Sequence, residues 1–600
     1  MHAGDLLVQM LINYRVEYVF GLPGGQTAAL YDAIYRRPRQ ISHILMRDER
    51  SAAYAADAYA RVTGQIGVCD ATVGPGATKL PSGLAEAKHS SIPILAIVSD
   101  INQATMHLAE YGAASQALDQ LRMFEPLVKW QSRVPTAGNL PDLFRNAMRQ
   151  ATSGRPGPVV LNIPDDVFTS DCDDMDLDPG SQIRDGSFPS RRTGPDADSV
   201  ALASFQLIEA ERPVIIAGGG IHNAGASEEL IRLAERLDIP VATTWSGKGA
   251  IPENHPLSVG LLGAMGTTSA TEIVSAADVV FLIGYKSAQN STFSWTLPRE
   301  DQSVIHLDVD PAEIGKVFTT AVGLVGDART GLQLLLGQVF RVERPEWVAQ
   351  VEQARSGWQQ QLDRERGSDQ TPVTPQRVMG EIQHVWGDDD LLVCDASFAS
   401  GWGGAFLQLP VAGRRALFPR GIAGLGWGLP AAIGARFGHP DGTVVCLAGD
   451  GGFAYSVAEI STLVKYGLKV VCVVLNNKAL SWIKWNQRMT WGEHYQSSDF
   501  PDINFAAVAR GFGCAGISVT SPDQLGDALD TAFSGNVPVV IDVKTEEWET
   551  PLLAYRAAVE QPVEATARTA YEPGSTGQPQ RRETNRERAG GTIMPRRGGR

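Results

Sequence analysis

The sequence has no paired cysteine motif, no long apolar run and no excess of positive charge. Its six cysteines form no CxxC pair and several lie inside apolar runs, which argues against a disulfide framework or a zinc site. No signal peptide opens the chain, and no apolar run approaches the length of a membrane span. The net charge of −15 argues against nucleic-acid binding, because such a surface does not neutralise a phosphate backbone. These absences favour a cytoplasmic protein that binds neither membranes nor nucleic acids.

Length and composition favour several globular domains. The chain has 600 residues and a hydrophobic share of 43%, enough to bury large cores. Strand and helix patterns alternate along it, which predicts α/β domains with parallel sheets. We expect a first domain at 1–168, a linker at 169–196, a central doubly wound domain at 197–340, a linker at 341–375 and a third domain at 376–550. Residues 551–600, which include several arginines among glycine and proline, are predicted to form a disordered basic tail.

The most informative stretch lies in the third domain. Apolar runs at 444–448 and 470–475 predict two buried parallel strands joined by a crossover helix. The first run ends at the Gly-Asp-Gly-Gly sequence of 449–452, and the second ends at Asn476 and Asn477. Both polar groups therefore fall at the carboxyl ends of strands, where open α/β sheets bind ligands.

These polar groups suit a metal-bound diphosphate. Asp450 and Asn477 offer hard oxygen donors, as Mg²⁺ prefers. The glycines leave backbone N–H groups free for a diphosphate at the start of a helix, and they are Gly449, Gly451 and Gly452. A lone Gly-Asp-Gly would be an ordinary turn, but this spacing resembles the diphosphate and magnesium motif of thiamine diphosphate enzymes. That resemblance implies metal ligation by Asp450, Asn477 and the carbonyl of Ala479.

The first domain carries a second resemblance. Glu49 precedes an alanine-rich helix, followed by Gly-Pro-Gly-Ala-Thr at 74–78 and Ser-Ile-Pro at 91–93. Taken alone, Glu49 would be a solvated acid in a first helical turn. Together these features resemble the pyrimidine-binding domain of the acetolactate synthase family. In that family a Glu at this place hydrogen-bonds N1′ of the cofactor's aminopyrimidine, so that the exocyclic nitrogen can take the C2 proton.

The resemblance implies further contacts. Cofactor contacts are expected from Pro23, Gly24, Pro75, Ser397 and Leu425. Leu425 stands where a bulky apolar residue, usually Met, supports the bent cofactor, with plain core packing as the competing interpretation. Gln116 and Lys129 fall where the family carries a Gln and a Lys that face the substrate. Each would otherwise be an ordinary surface residue.

The resemblance raises the question of FAD in the central domain. Gly218, Gly219 and Gly220 follow a predicted strand, but the GxGxxG spacing of dinucleotide sites is absent. The central domain of acetolactate synthases binds FAD, which has no redox role in the main reaction. Here the stretch at 285–290 replaces a sequence typical of FAD-binding members, which argues against FAD.

The function implied by the resemblance is carbon–carbon bond formation. A 2-oxo acid, with pyruvate favoured, is decarboxylated on thiamine diphosphate, and the resulting enamine attacks a second carbonyl, as in acetolactate synthases. The family also implies that Glu49 of one subunit meets Asp450 and Asn477 of another. We therefore expect a homodimer or homotetramer.

Two departures from the family leave alternatives open. Asn486 stands where a Trp commonly shapes the acceptor pocket, and Lys79 stands where Asn is usual. The protein could be another carboligase or lyase with a different acceptor, a simple 2-oxo acid decarboxylase, or a non-catalytic regulatory paralogue that binds the cofactor. The presence of Glu49 argues against the last alternative.

Overall fold

The computed structural model describes residues 1–172, 177 and 180–553. It contains three six-stranded sheets whose strands pair in parallel, with helices packed on them. The predicted α/β class with three parallel sheets is thereby confirmed. Most of the tail predicted at 551–600 and part of the segment at 169–196 lie outside the described residues.

The first sheet presents the loops that follow its strands along one edge. Its strands are β1 Tyr18–Gly21, β2 Ser42–Leu45, β3 Gly67–Ala71, β4 Ile94–Asp100, β5 Trp130–Arg133 and β6 Val159–Pro164. Its helices are α1 Ala3–Asn13, α2 Ala28–Tyr35, α3 Glu49–Thr63, α4 Pro81–Ser90, α5 Gln120–Phe124, α6 Leu140–Thr152 and α7 Asp165–Thr169. The strand order is β2-β1-β3-β4-β6-β5. Because β2, β1 and β3 are neighbours, the loops after these three strands meet at the carboxyl edge.

The central sheet is doubly wound. Its strands are β7 Pro213–Ala217, β8 Val241–Thr243, β9 Ser258–Leu261, β10 Val279–Ile283, β11 Ser303–Asp308 and β12 Val322–Val325. Its helices are α8 Ala197–Glu209, α9 Gly220–Ala224, α10 Ser227–Leu237, α11 Thr268–Ala276 and α12 Ala328–Leu336. The strand order is β12-β11-β10-β7-β8-β9: the chain adds β8 and β9 on one side of β7 and then β10 to β12 on its other side, so the order of addition reverses between β10 and β7. A crevice at such a reversal is where doubly wound sheets bind ligands.

The third sheet has the strand order β14-β13-β15-β16-β18-β17. Its strands are β13 Leu391–Cys394, β14 Ala416–Leu417, β15 Val444–Gly449, β16 Val470–Asn476, β17 Ala515–Val519 and β18 Val539–Lys544. The helices after α12 are α13 Pro345–Arg366, α14 Pro375–Val385, α15 Phe398–Phe406, α16 Gly428–Gly438, α17 Asp450–Tyr455, α18 Ile460–Tyr466, α19 Ser481–Trp491, α20 Phe505–Gly511 and α21 Leu525–Ser534. The buried strands β15 and β16 lie side by side in the middle of this sheet.

The first and third sheets are joined through a close helix pair. Helix α3 packs against α16, and the alanines of α3 are buried in one core shared by both sheets. A Cβ on Gly434 of α16 would lie 1.9 Å from the carbonyl oxygen of Ala55. Only glycine therefore permits this backbone approach, so the two sheets are held at a fixed spacing.

The linker predicted at 341–375 contains the 22-residue helix α13. Its Trp347 and Val351 pack into the core of the central sheet, whereas Trp358 and Leu362 pack into the core of the third. The charged pattern of this segment covers the exposed side of a helix that bridges two domains.

Two further observations concern the predicted location. None of the helices in the described part of the chain is long and apolar enough to cross a membrane. Five cysteines are buried free thiols, namely Cys69, Cys394, Cys446, Cys472 and Cys514.

Candidate active site

The third sheet forms a cavity at the carboxyl ends of β13, β15 and β16. The lining includes the following residues predicted from the sequence: Ser397, Leu425, Gly449, Asp450, Gly451, Gly452, Asn477 and Ala479. In the parallel register Gly449 lies opposite Leu475, so the two strand ends are adjacent. The structure therefore brings together all of the residues predicted in this domain.

Asp450 connects the ends of the two strands. It is the first residue of α17 and is only 4% exposed. Its Oδ1 accepts a hydrogen bond from the Gly451 N–H at 2.6 Å, and its Oδ2 accepts one from the Lys478 N–H at 2.6 Å. Burial raises the pKa of Asp450 to about 6, although these N–H groups act in the opposite direction. The carboxyl group is thus fixed in place, and a cation beside it would stabilise the ionised form that burial disfavours.

The oxygen donors of this cavity fit Mg²⁺. Asn477 donates through Nδ2 to Ser481 Oγ at 2.7 Å, which fixes the amide and reserves its oxygen for a cation. Ala479 is buried in the same lining. No group of three or more His, Cys, Asp or Glu side chains suited to a metal occurs within the described ranges. An ion held by Asp450, Asn477 and the Ala479 carbonyl would therefore need phosphate oxygens as further ligands.

The glycine turn differs in one respect from the prediction. The sequence predicts a single crossover helix between the two strands, but the structure has a short helix α17 that begins directly at Asp450 and ends at Tyr455. A second helix, α18, then starts at Ile460. A Cβ on Gly449 would have no atom within 4 Å, so this position faces open space. The open space beside the glycine turn fits a diphosphate.

Ser397 lines the cavity in a strained backbone conformation. Its φ of 68° and ψ of −146° lie in a region that residues other than glycine rarely adopt. Such a conformation costs on the order of 1–3 kcal/mol and persists only where the surrounding packing enforces it. Ser397 precedes α15, so the strain fixes the wall of the cavity.

Asp395 supports the cavity from behind and was not included in the sequence prediction. It follows β13, is 1% exposed, and accepts hydrogen bonds from the N–H groups of Gly426 at 3.1 Å and Gly428 at 3.0 Å. Burial raises its pKa to about 6, although these backbone bonds act against that shift. Asp395 thereby fixes the loop that presents Leu425 to the cavity. The sequence signal that could have identified Asp395 is an acidic residue directly after a predicted buried strand.

Another part of the wall comes from segments far along the chain. The lining residues that the prediction did not include are Pro375, Ala396, Phe398, Ala399, Trp402, Leu475, Leu480, Ser481, Thr545, Glu546 and Glu549. Thr545 to Glu549 follow β18 and return to the cavity from 66 or more positions beyond the Asn477 region, so only the tertiary structure places them there.

Glu49 lies at the corresponding edge of the first sheet. It is the first residue of α3 and is 3% exposed; its Oε2 lies 3.3 Å from the Lys79 ammonium and accepts no other hydrogen bond from the described residues. The turn that contains Pro75 passes directly beside it, because a Cβ on Gly76 would lie 2.9 Å from Glu49 Oε1. A buried carboxyl group that can form a further hydrogen bond fits the ring nitrogen of an aminopyrimidine.

The other residues predicted in the first domain surround this turn. Gln116 has its carbonyl oxygen 2.4 Å from the place of a Cβ on Gly74, and its side chain accepts a hydrogen bond from Gln26 at 3.4 Å. Gly24 packs against Thr72, which precedes the same turn. Pro23, Pro75 and Gln116 are exposed. The structure therefore brings these residues together with Glu49 but leaves the surface above them open.

Lys129 lies elsewhere. It precedes β5, at the amino edge of the sheet, whereas Glu49 lies at the carboxyl edge. Its Nζ donates to the Ser153 carbonyl at 2.7 Å, and burial lowers its pKa to about 8. Within one chain the structure does not bring Lys129 together with Glu49 and Gln116. Its contact with substrate stays a prediction.

The central domain contains a separate cavity of about 410 Å³. Its lining includes the glycines at 218–220 and Gly284, which follow β7 and β10 at the reversal of the sheet. Most of the stretch at 285–290 also lines it, including Lys286, whose pKa burial lowers to about 7. The cavity has the size and position of a small-molecule site, but its wall carries the stretch that argued against FAD.

Three protein-family models match the chain. A thiamine pyrophosphate enzyme N-terminal TPP binding domain matches residues 1–123, a thiamine pyrophosphate enzyme central domain matches 201–335, and a C-terminal TPP binding domain matches 395–543. Thiamine pyrophosphate is the same compound as thiamine diphosphate. Each of the three sheets lies wholly or largely within one match, which defines the class as a thiamine diphosphate-dependent enzyme.

Full-length relatives define the family within that class. An acetolactate synthase of Arthrospira platensis is 36% identical over 90% of this chain and 93% of its own length. Probable acetolactate synthase large subunits of Methanocaldococcus jannaschii and Methanococcus aeolicus are 32% and 33% identical, each over 90% of this chain and 92% of their own length. The chain belongs to the acetolactate synthase family of thiamine diphosphate-dependent enzymes.

Proposed function

We propose that this protein decarboxylates pyruvate and joins the resulting two-carbon unit to a second 2-oxo acid, forming acetolactate or a close analogue. The supporting observation is the cavity of the third sheet, which gathers Asp450, Asn477, Ala479 and an open glycine turn at the carboxyl ends of β15 and β16. Relatives named acetolactate synthase share this chain's length and about a third of its residues.

The residues of the two sheets have separate tasks. Thiamine diphosphate, when bound, supplies the carbanion and the electron sink that decarboxylation of a 2-oxo acid requires. Asp450, Asn477 and the Ala479 carbonyl hold Mg²⁺ and so orient the diphosphate. Glu49 holds or releases a proton at the pyrimidine nitrogen N1′ from a site that water barely reaches. Gln116, exposed beside Glu49, is placed to contact the substrate.

The identity of the acceptor, the second carbonyl compound, has a specific alternative. Asn486 lies in α19 and accepts a hydrogen bond from Thr490 at 2.8 Å, where the family commonly has a Trp. A smaller, polar side chain leaves more room and accommodates a larger or more polar acceptor. Ligation to an acceptor other than pyruvate is therefore the second candidate function.

We also propose that the active site is shared between two copies of the chain. Glu49 is not among the residues that line the cavity of the third sheet. Large apolar side chains are exposed in the segments near both sites, namely Tyr111, Ile422, Tyr455 and Trp491. A second copy that covers these side chains would close the open surface above Glu49.

Two further parts of the proposal concern FAD and location. The central domain is proposed to bind no FAD, since the stretch at 285–290 departs from the FAD-binding pattern; flavin absorption in the purified protein would contradict this. The five buried free cysteines support a reducing compartment, in agreement with the cytoplasmic location expected from the sequence.

The deciding experiment follows CO₂ release and the carbon product together. Purified protein is incubated with thiamine diphosphate, Mg²⁺ and pyruvate, with Glu49→Gln as the matched control. Acetolactate formed only by the unaltered protein is the expected result. Acetaldehyde would identify a simple decarboxylase. If neither forms although the cofactor binds, pyruvate is not the donor, and the proposal is wrong in its substrate.

A further inference from the structure

A third cavity, of about 220 Å³, lies where the central domain, the bridging helix α13 and the third domain meet. The central domain contributes Ser258 of β9, α13 contributes Arg355 and Gln359, and the third domain contributes Gln408 after α15. The volume corresponds to about seven water molecules at ~30 Å³ each. This cavity shares no lining residue with the cavity of the third sheet or with the larger cavity of the central domain.

Arg355 is a half-buried cation of the lining that has no acidic partner. Its Nε donates to the Ser258 carbonyl at 2.8 Å, and its guanidinium forms no ion pair with any residue that the structure describes. Glu352, one turn earlier on α13, is exposed and acts on Arg355 only through its charge. The two Nη groups of Arg355 are therefore free to donate side by side, which is the geometry that binds a carboxylate.

Ser258 supplies a second polar group without a partner. It is 4% exposed, and its Oγ forms no hydrogen bond with the described residues. Buried hydroxyl groups in native proteins nearly always have a hydrogen-bond partner, so this one is available to a ligand. Because the Ser258 carbonyl accepts the hydrogen bond from Arg355, the free hydroxyl and the guanidinium lie close together.

The other charges at this cavity are paired. Glu253 is the only acid among the residues described in the lining, and both of its oxygens accept hydrogen bonds from Lys248 Nζ, at 2.7 and 2.6 Å. Its Oε2 also accepts one from the Leu409 N–H at 2.8 Å. An ammonium and a carboxylate paired in this way carry no net charge together. Arg355 therefore gives the cavity an excess of one positive charge, which favours a monoanion.

We propose that this cavity binds a small hydroxy- or oxo-carboxylate, whose carboxylate accepts hydrogen bonds from the Nη groups of Arg355 and whose second oxygen pairs with Ser258 Oγ. Trp358 and Ala405 also line the cavity and offer apolar contacts to a short carbon chain. The volume excludes a nucleotide and fits an acid of a few carbon atoms. Because the cavity is separate from the proposed cofactor site, this inference does not depend on the proposed function.

Lactate is a suitable probe, because it carries a carboxylate and a hydroxyl but no oxo group at which a 2-oxo acid decarboxylase could act. Titration calorimetry on the protein loaded with thiamine diphosphate and Mg²⁺ measures its binding. We expect a dissociation constant on the order of 1 mM, as is usual for a ligand of this size. Lactamide, which has a similar shape without the charge, should bind at least about tenfold more weakly.

Variants on two sides of the cavity test the assignment. Arg355→Met removes the charge and keeps a flexible apolar chain, so lactate affinity should fall at least about tenfold. Ser258→Ala removes a single oxygen and should weaken binding about threefold or more. Arg364→Met, which alters an exposed arginine on the same helix, is the matched control and should leave lactate affinity unchanged.

Two results would overturn the proposal. Lactate that binds Arg355→Met as tightly as the unaltered protein would occupy another site, and no detectable binding to the unaltered protein would leave only a hydrated crevice. If Arg355→Met does not fold, Ser258→Ala decides the matter, and an affinity equal to that of the unaltered protein would contradict the assignment. The product assay with pyruvate is unaffected by either result.

Discussion

The two ends of the proposed cofactor site are built to different degrees of completeness. The diphosphate half, which comprises Ser397, Leu425, 449–452, Asn477 and Ala479, is a walled cavity within one chain. The pyrimidine half, which comprises Pro23, Gly24, Glu49, Pro75 and Gln116, is an exposed surface over one buried carboxylate. One half is thus preformed, and the other needs an additional surface to exclude water.

The difference has a structural cause. The wall of the diphosphate half comes from three strand ends and from the segment at 545–549 that returns after β18. The pyrimidine half is formed by the segments that follow β1, β2, β3 and β4, and no later segment returns to cover it within the described part of the chain. We therefore expect loss of a metal ligand in the diphosphate half to abolish cofactor binding, and loss of Glu49 in the pyrimidine half to abolish turnover while some binding remains.

The largest effect is expected from Asp450→Ala. Loss of the carboxylate removes a metal ligand, and diphosphate binding depends on that metal. Affinity for thiamine diphosphate should fall more than about 100-fold and activity should be undetectable. Calorimetry and the product assay measure both quantities. Asp441→Ala, an exposed acid at the amino end of β15, is the control; cofactor binding unchanged by Asp450→Ala would contradict the assignment.

Glu49→Gln should lower turnover much more than it lowers cofactor affinity. The amide cannot exchange a proton with the pyrimidine ring, so kcat should fall by about 10²–10⁴-fold. Affinity for the cofactor should change far less than in Asp450→Ala, because the diphosphate half is intact. The same two measurements decide the matter, and a variant that retains full turnover would refute the role of Glu49.

The contact between the first and third domains of one chain is expected to stabilise the fold. Glu86, fully buried on α4, accepts hydrogen bonds from the N–H groups of Gly421 and Ile422 at 2.8 Å and pairs with Arg61 at 3.1 Å. Burial acts to raise the pKa of Glu86, but Arg61 and the N–H groups outweigh it and hold the pKa below 4.5. Glu86→Gln should lower the free energy of unfolding by about 3 kcal/mol at pH 7.

The pH dependence of this contact has a definite sign. An acid whose pKa is lower in the folded state stabilises the protein above the unfolded value of 4.5, and this contribution is lost as pH falls through the folded pKa. The stability difference between the unaltered protein and Glu86→Gln should therefore shrink in acid. Denaturant unfolding at several pH values tests this, with exposed Glu125→Gln as the control. A difference that grows in acid would contradict the account.

The smallest effect is expected from Leu425→Ala. Leu425 lines the cavity on a loop that Asp395 fixes, so truncation removes support from the bound cofactor without disturbing the metal ligands. Activity should fall about tenfold, consistent with a loss of about 1.4 kcal/mol in orientation. Leu425→Met, the usual family residue, should be near neutral. Equal loss in both variants would indicate that shape, not support, matters here.

The sequence predicted what depends on local pattern. The apolar runs at 444–448 and 470–475, the polar residues that end them and the acid before the alanine-rich helix are local signals, and the structure brings Asp450 and Asn477 into one cavity. Parallel sheets align strand ends, so these residues needed no knowledge of distant contacts.

The features that the sequence did not predict depend on contacts between segments that are distant along the chain. Asp395 acts on Gly426 and Gly428, and Glu546 reaches the cavity from beyond β18. The helix α13 and the ion pair of Lys79 with Glu49 likewise follow from packing, not from pattern. Lys129 shows the converse, because a position matched to the family lies at the opposite edge of its sheet from Glu49.

The central claim is that the pyrimidine half of one chain completes the diphosphate half of another. Co-expression of Glu49→Gln and Asp450→Ala chains with different affinity tags, followed by purification through both tags, yields hybrids of two inactive chains. In a twofold dimer each hybrid contains one intact site and one doubly altered site, so about half of the activity of the unaltered protein should return. Hybrids that bind cofactor yet show no activity would place both halves of the site within a single chain.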